Sequence, residues 1–177
     1  EHVDFQAIMN QVSYIFRDPE ILGERYDIQK VIVSNNGSVL DEATFSTTAL
    51  MYLIAKLNKY LPNLSVLCLE TRPEYVDPVE LEMLRRSLAE GRTPTRLELG
   101  IGFEAYDPAI RNDHFDKGLD FDKFENFIKL VQPFGYSVKC YFMQKPVPDM
   151  TDEQAIEDVK KGIEYFTEMS VSHQIDI

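Results

Sequence analysis

Nine residues, Arg96-Leu97-Glu98-Leu99-Gly100-Ile101-Gly102-Phe103-Glu104, constrain the fold of this chain more than any other stretch. A strand alternates its side chains between two faces. Leu97, Leu99, Ile101 and Phe103 therefore share one face, and Glu98, Gly100, Gly102 and Glu104 the other. The first face suits burial beneath helices. The second carries carboxylates separated by glycines that leave the backbone open to close approach. Such a face fits the wall of a ligand cavity better than the inside of a solid core.

The remaining sequence repeats a strand–helix unit. Phe5, Ile8, Met9, Val12, Ile15 and Phe16 recur at helical spacing over 4–17, stopped by Asp18-Pro19. A β-branched run over 28–33 ends in the turn cluster Ser34-Asn35-Asn36-Gly37. Helices are predicted over 46–60 and from Asp77-Pro78 to Ala89, the latter with Asp at the cap and Pro at the first helical position. A short strand over 64–69 lies between them and leads into Glu70-Thr71-Arg72-Pro73. After the glycine-punctuated strand come an irregular loop over 106–118, a helix over 120–131, a strand over 136–142 and a helix from Thr151 to about Glu168. The tail from Ser172 to Ile177 is placed to begin one more strand.

Strands alternating with helices imply parallel pairing through crossover connections. Polar parity recurs in several strands: Cys68, Glu70 and Arg72 in one, Ser137, Lys139, Tyr141, Met143 and Lys145 in another. A closed eight-stranded barrel fills its interior with branched apolar residues. Inward charges predict instead an α/β fold of the partial barrel type, with four to five parallel strands, outer helices and a polar inner face. The 177 residues suffice for one domain, 1–177, but not for a complete barrel.

A net charge of −12 opposes non-specific adhesion to phosphate backbones. No run approaches the ~18 consecutive apolar residues that a membrane helix requires, so no membrane partner is expected. Cys68 and Cys140 lie in apolar runs and read as reduced core thiols of a cytoplasmic protein. His2, His114 and His173 are scattered without metal-site spacing, and no metal ligands are assigned within the chain. The chain opens Glu1-His2-Val3-Asp4, without an initiator Met, and reads as an excerpt of a longer polypeptide.

Four ordered segments carry a resemblance. They are Ser34-Asn35-Asn36-Gly37-Ser38-Val39-Leu40-Asp41; Glu70-Thr71-Arg72-Pro73-Glu74-Tyr75; Leu99-Gly100-Ile101-Gly102-Phe103-Glu104 with Asp116-Lys117-Gly118; and Val138-Lys139-Cys140-Tyr141-Phe142-Met143-Gln144-Lys145-Pro146. Together, over about 28–160, they resemble the middle of a radical S-adenosylmethionine (SAM) enzyme. The similarity is nearest the radical-SAM subunit of archaeosine synthase and its uncharacterised bacterial relatives, and more distant to the Elongator catalytic subunit. The resemblance implies a partial (β/α)6 barrel, a [4Fe-4S] cluster on a Cys-x3-Cys-x2-Cys loop, and SAM as the source of a 5′-deoxyadenosyl radical.

This chain holds no such cysteine triplet. Either the first strand and the cluster loop precede Glu1, the reading that the opening residues favour, or the chain is a degenerate relative; in both cases the fragment alone is expected to be inactive. Carried over by position, the resemblance implies SAM-binding roles for Asn36, Gly37, Glu70, Gly102, Glu104, Arg111, Lys117 and Tyr141. Asn36 and Gly37 would meet the amino group. Arg111, with Lys117 as second choice, would meet the carboxylate through a forked donor set. Catalytic residues stay unassigned, as does the substrate; a modified nucleoside fits, and RNA enters only by analogy.

Two alternatives remain open. One is a cluster-free barrel enzyme using Glu98 or Glu104 as general base; the other is a non-catalytic interaction domain. A missing first strand would also expose the edge of the strand at 28–33 and favour self-association. The structural counter-readings are a Glu98–Lys139 pair, a Glu70–Arg72 pair and an acidic run over 149–158 that merely favours a helix N-terminus.

Overall fold

The computed structural model describes residues 4–35 and 37–177. Among the described residues, six α-helices and four strands follow one another, alternating after α2: α1 Phe5–Ile15, α2 Pro19–Glu24, β1 Lys30–Val33, α3 Thr47–Tyr60, β2 Val66–Thr71, α4 Pro78–Leu88, β3 Arg96–Glu104, α5 Phe121–Val131, β4 Ser137–Phe142 and α6 Asp152–His173. The parallel strands form one sheet in the order β1-β2-β3-β4, flanked by helices in the manner of a partial β/α barrel. In register, Lys30 faces Val66 and Val33 faces Leu69. Contacts group the chain into two compact units, 1–99 and 100–177, with the division inside β3.

In the first unit, α3 buries Leu50, Leu53, Ile54 and Leu57, and α4 buries Leu81, Leu84 and Leu88. Both sets follow helical periodicity. Ser46 caps α3 by accepting from the Ala49 N–H, and Asp77 caps α4 by accepting from Val79 and Glu80. The sequence reading stops the first helix at Asp18-Pro19; the structure also starts another there. Asp18 accepts from the Glu20 N–H and Pro19 occupies the first turn, where its missing N–H is harmless. β1 is an edge strand, and Ile32 on it is 48% exposed.

The second unit is built around Phe103. Its ring lies 5.2 Å from Phe124 of α5, 5.5 Å from Phe142 of β4 and 4.9 Å from Phe166 of α6. Phe124, Phe127, Ile128 and Val131 supply the buried stripe of α5. α6 begins with a reciprocal cap, the Thr151 hydroxyl accepting from the Gln154 N–H and the Gln154 side chain from the Thr151 N–H. At Gly162, α6 approaches β4 so closely that a Cβ would lie within 2.7 Å of two atoms of the Phe142 ring. The strand expected from Ser172 does not form: α6 continues to His173, past the expected end near Glu168, and the residues after it carry no strand, although the Val138 N–H donates to the Asp176 carbonyl at 2.8 Å.

Candidate functional site

The alternation expected of β3 is present except at Gly100. Leu97, Leu99, Ile101 and Phe103 are buried and Glu98, Gly102 and Glu104 are partly open, but Gly100, on the same parity as the last three, is buried. In the second unit the strand ends abruptly at Glu104, whose φ is +68°. The Ala105 N–H donates back to the Phe103 carbonyl at 2.9 Å, closing a three-residue turn around Glu104. The Glu104 carbonyl accepts from the Met143 N–H at 2.9 Å, which fixes the turn to the end of β4. A non-glycine residue with positive φ costs of order 1–3 kcal/mol and persists where its surroundings over-determine it.

The turn folds the Glu104 side chain back over Gly102. There it meets Lys117, with Nζ and Oε1 2.7 Å apart and side-chain exposures of 29% and 16% for Lys117 and Glu104. A Cβ on Gly102 would lie 2.4 Å from Glu104 Oε1 and 2.9 Å from Lys117 Nζ. Gly102 is thus the floor on which the ion pair rests. Lys117 stands between two residues with positive φ, Asp116 at +48° and Gly118 at +58°.

Arg111 holds the loop that presents Lys117. It lies in a π-helical turn over Ala109–His114 and is fully buried. Nε donates to the Leu119 carbonyl at 2.6 Å, while Nη1 donates to Ala105 at 2.9 Å and Tyr106 at 3.1 Å. Both ends of the 105–119 loop are thereby joined. Phe103 and Phe121 lie against the guanidinium, 4.3 and 4.6 Å from centroid to Cζ. Burial lowers its pKa from the ordinary value, opposed by interactions with Tyr165, Asp158, Asp107 and Asp120. Arg111, implied by resemblance as a partner for a carboxylate, spends Nε and Nη1 on main-chain carbonyls, while its buried Nη2 has no hydrogen-bond partner among the described residues.

The sequence reading missed Asp158. Its carboxylate, nearly buried in α6, accepts from the Tyr106 N–H at 2.9 Å and the Asp107 N–H at 2.7 Å. It pins the same loop from outside. A cleft of about 640 Å³ lies beside it, lined by Asp107, Asp149, Glu153, Glu157 and Lys161 among others. On β4, Lys139 Nζ lies 4.7 Å from the Tyr141 ring, on the parity opposite Phe142. His114 is solvent-exposed.

In the first unit, the ends of β1 and β2 are tied together. The buried hydroxyls of Ser38 and Thr71 are 2.5 Å apart, and the Val39 N–H donates to the Glu70 carbonyl at 2.9 Å. The Gly37 N–H donates to Asn35 Oδ1 at 2.9 Å, and a Gly37 Cβ would press on Thr44 Cγ2 at 3.2 Å. Asn36 lies outside the described residues. Glu70 is partly exposed at the end of β2. Arg72, anticipated as a partner for Glu70, pairs with Glu74 at 2.6 Å. Glu98, anticipated as a partner for Lys139, pairs with Lys30 of β1 at 2.5 Å.

An iron–sulfur cluster does not fit the residues described. No group of three or more His, Cys, Asp or Glu residues among them is arranged to hold a metal. Cys68 is fully buried, and burial pushes the Cys140 thiol pKa up, away from the thiolate that a cluster needs. Among the described residues no helix is long and apolar enough to cross a membrane.

The chain is 28% identical over 159 residues to an uncharacterized protein of Methanocaldococcus jannaschii, covering 89% of this chain and 41% of that protein. It is also 28% identical over 141 residues to archaeosine synthase subunit beta of Methanosarcina acetivorans, covering 80% of this chain and 39% of that subunit. The chain therefore spans about two-fifths of the length of these curated relatives. No protein-family profile matches it. No solved structure matches it.

Proposed function

We propose that this chain is the core of a radical SAM enzyme, with the [4Fe-4S] cluster held by cysteines outside it and SAM bound at the C-terminal ends of the strands. Support comes from the ordered four-segment resemblance, the parallel sheet and the similarity to an archaeosine synthase subunit. The single observation that carries the reading is the Glu104–Lys117 pair over Gly102. One carboxylate and one ammonium group match the charged ends of an amino-acid moiety, and a glycine floor permits its approach.

Held against a cluster on residues outside this chain, SAM would supply radical chemistry. The residues here bind and orient. Glu104 would accept from the SAM amino group and Lys117 would donate to its carboxylate, each exchanging its present partner for the ligand. The resemblance further assigns Asn36, Gly37 and Glu70 to SAM contact and Tyr141 to the neighbourhood of the adenine. Arg111 is a positioning residue that fixes the loop of Lys117. A cytoplasmic protein acting on a modified nucleoside, free or within RNA, completes the proposal.

Calorimetric titration of SAM into the full chain tests the site. Glu104→Gln and Lys117→Met should each weaken binding about tenfold or more, equivalent to about 1.4 kcal/mol. Unchanged affinity in both variants with the fold retained refutes the assignment. The parent polypeptide, reconstituted with iron and sulfide under reducing conditions, should release 5′-deoxyadenosine, whereas the chain alone should not.

A further inference from the structure

A second cleft, in the first unit, has the opposite electrostatic character from the protein that contains it. Its volume is about 380 Å³, and its lining includes Arg25, Lys59 and Arg92 with the rings of Tyr26 and Tyr60. The whole chain carries 30 acidic against 18 basic residues, yet no Asp or Glu lines this cleft. Among the described residues none of the three cations has a carboxylate within ion-pair distance. We propose that the cleft binds a phosphate group, either free or carried by a nucleoside monophosphate.

The walls are fixed by hydrogen bonds between the segments that lead into the strands. Asn63 Nδ2 donates to the Tyr26 carbonyl at 2.7 Å, and the Thr93 hydroxyl donates to the Pro62 carbonyl at 2.6 Å. Asn58 Nδ2 donates to the Ser87 carbonyl at 2.7 Å, joining the end of α4 to α3. Gly91 keeps this junction tight, since a Cβ there would lie 2.9 Å from Asn58 Oδ1.

The C-terminal ends of α2 and α3 lie at the cleft, and cations stabilise such ends. Arg25 Nη1 donates to the Leu22 carbonyl, which uses part of its fork. Each helix end carries only about half a negative charge. Two such ends leave the three full charges with an excess of about two. A concave surface concentrates that excess, and a phosphate group is the compact polyanion that matches it. The tyrosines make the nucleotide arm specific. The Arg25 guanidinium lies 4.5 Å from the Tyr26 centroid and Lys59 Nζ 5.1 Å from that of Tyr60, so each cation already rests on a ring beside which a base can stack.

The test is titration of the isotope-labelled full chain with orthophosphate, AMP and adenosine at constant ionic strength, followed by amide shifts. Orthophosphate, AMP or both should shift amides at 22–26, 58–63 and 91–93 saturably, and adenosine should not. Equal affinities identify free phosphate as the ligand chemistry; tighter AMP binding identifies the nucleotide. The exposed substitutions Lys59→Ala and Arg92→Ala, combined, should weaken binding about tenfold or more with the spectrum otherwise intact. Lys160→Ala, outside the cleft, should leave binding unchanged. The proposal is overturned if chloride or sulfate reproduces the shifts at equal concentration, if the double variant binds as the parent does, or if only a single-stranded oligonucleotide binds.

Discussion

Replacing Arg111 by methionine separates two roles for this residue by a wide margin. The side chain is fully buried and serves three carbonyls, of which those of Ala105 and Leu119 belong to buried residues and that of Tyr106 to a partly exposed one. A buried acceptor stripped of its donor costs about 1–3 kcal/mol. Water can recover the Tyr106 carbonyl, which leaves two acceptors and a loss of roughly 2–6 kcal/mol. Removing the guanidinium also relieves its own desolvation, so the expected net destabilisation is about 3–4 kcal/mol. That is a large part of the ~5–15 kcal/mol that holds a typical domain together. Urea unfolding of Arg111→Met and Arg111→Lys, followed by circular dichroism, measures it. Lysine keeps the charge but cannot span from Leu119 to Ala105 as the fork does, so it should recover only part of the loss. A residue whose task was to meet a ligand carboxylate would behave differently, with stability nearly unchanged and SAM affinity lost. Stability of Arg111→Met within about 0.5 kcal/mol of the parent, the range of an ordinary surface change, refutes the structural assignment.

The Glu82 carboxyl is held down to about 2 from an ordinary 4.5 by hydrogen bonds from Arg85 and then Arg86. Because the folded pKa is depressed, its contribution to α4 is present above pH 4.5 and fades as pH falls toward about 2; an NMR titration with a midpoint near 4.5 would contradict the pairing. Cys68 and Cys140 should both resist thiol reagents in the native protein and react on unfolding, since one is fully buried and burial raises the pKa of the other; fast native reaction of Cys140 opposes this. Gly162→Ala gains about 1 kcal/mol of helix propensity but forces a Cβ onto the Phe142 ring, with an overpacking cost of about 1–3 kcal/mol. It should be neutral to destabilising alone and stabilising in a Phe142→Ala background; chemical denaturation of the parent and the three variants decides, and stabilisation in the parent background removes the steric argument.

Much of the fold was legible because its signals are local. The nine-residue alternation of β3 and the caps at Ser46, Asp77, Asp120 and Thr151 each fix an element without reference to distant residues. The short helix after Asp18-Pro19 was obscured because proline ends one helix and begins another with equal ease. Asp158 was hidden among the acids of 149–158, although helical phase distinguishes it. Ala155, Asp158, Gly162 and Met169 are the buried positions of α6, spaced so that a carboxylate at the second of them faces inward with its apolar neighbours. Periodicity applied to the acids as well as to the apolar residues would have found it.

The site itself was legible only in outline, because its geometry depends on one backbone torsion. Sequence placed Glu104 at the strand mouth and Lys117 downstream but supplied no reason for them to meet. The meeting follows from the positive φ of Glu104, which turns the side chain back over Gly102 rather than onward along the strand. Glycine would adopt that torsion at lower cost, and the chain uses glycine two positions earlier, where space rather than torsion demands it. Retaining a carboxylate at the strained position and a glycine at the crowded one is costly for stability alone. It is the arrangement expected if the carboxylate and the open floor serve a ligand, and if the Met143 bond, the Arg111 fork and the Asp158 carboxylate hold the surrounding loop in readiness for one.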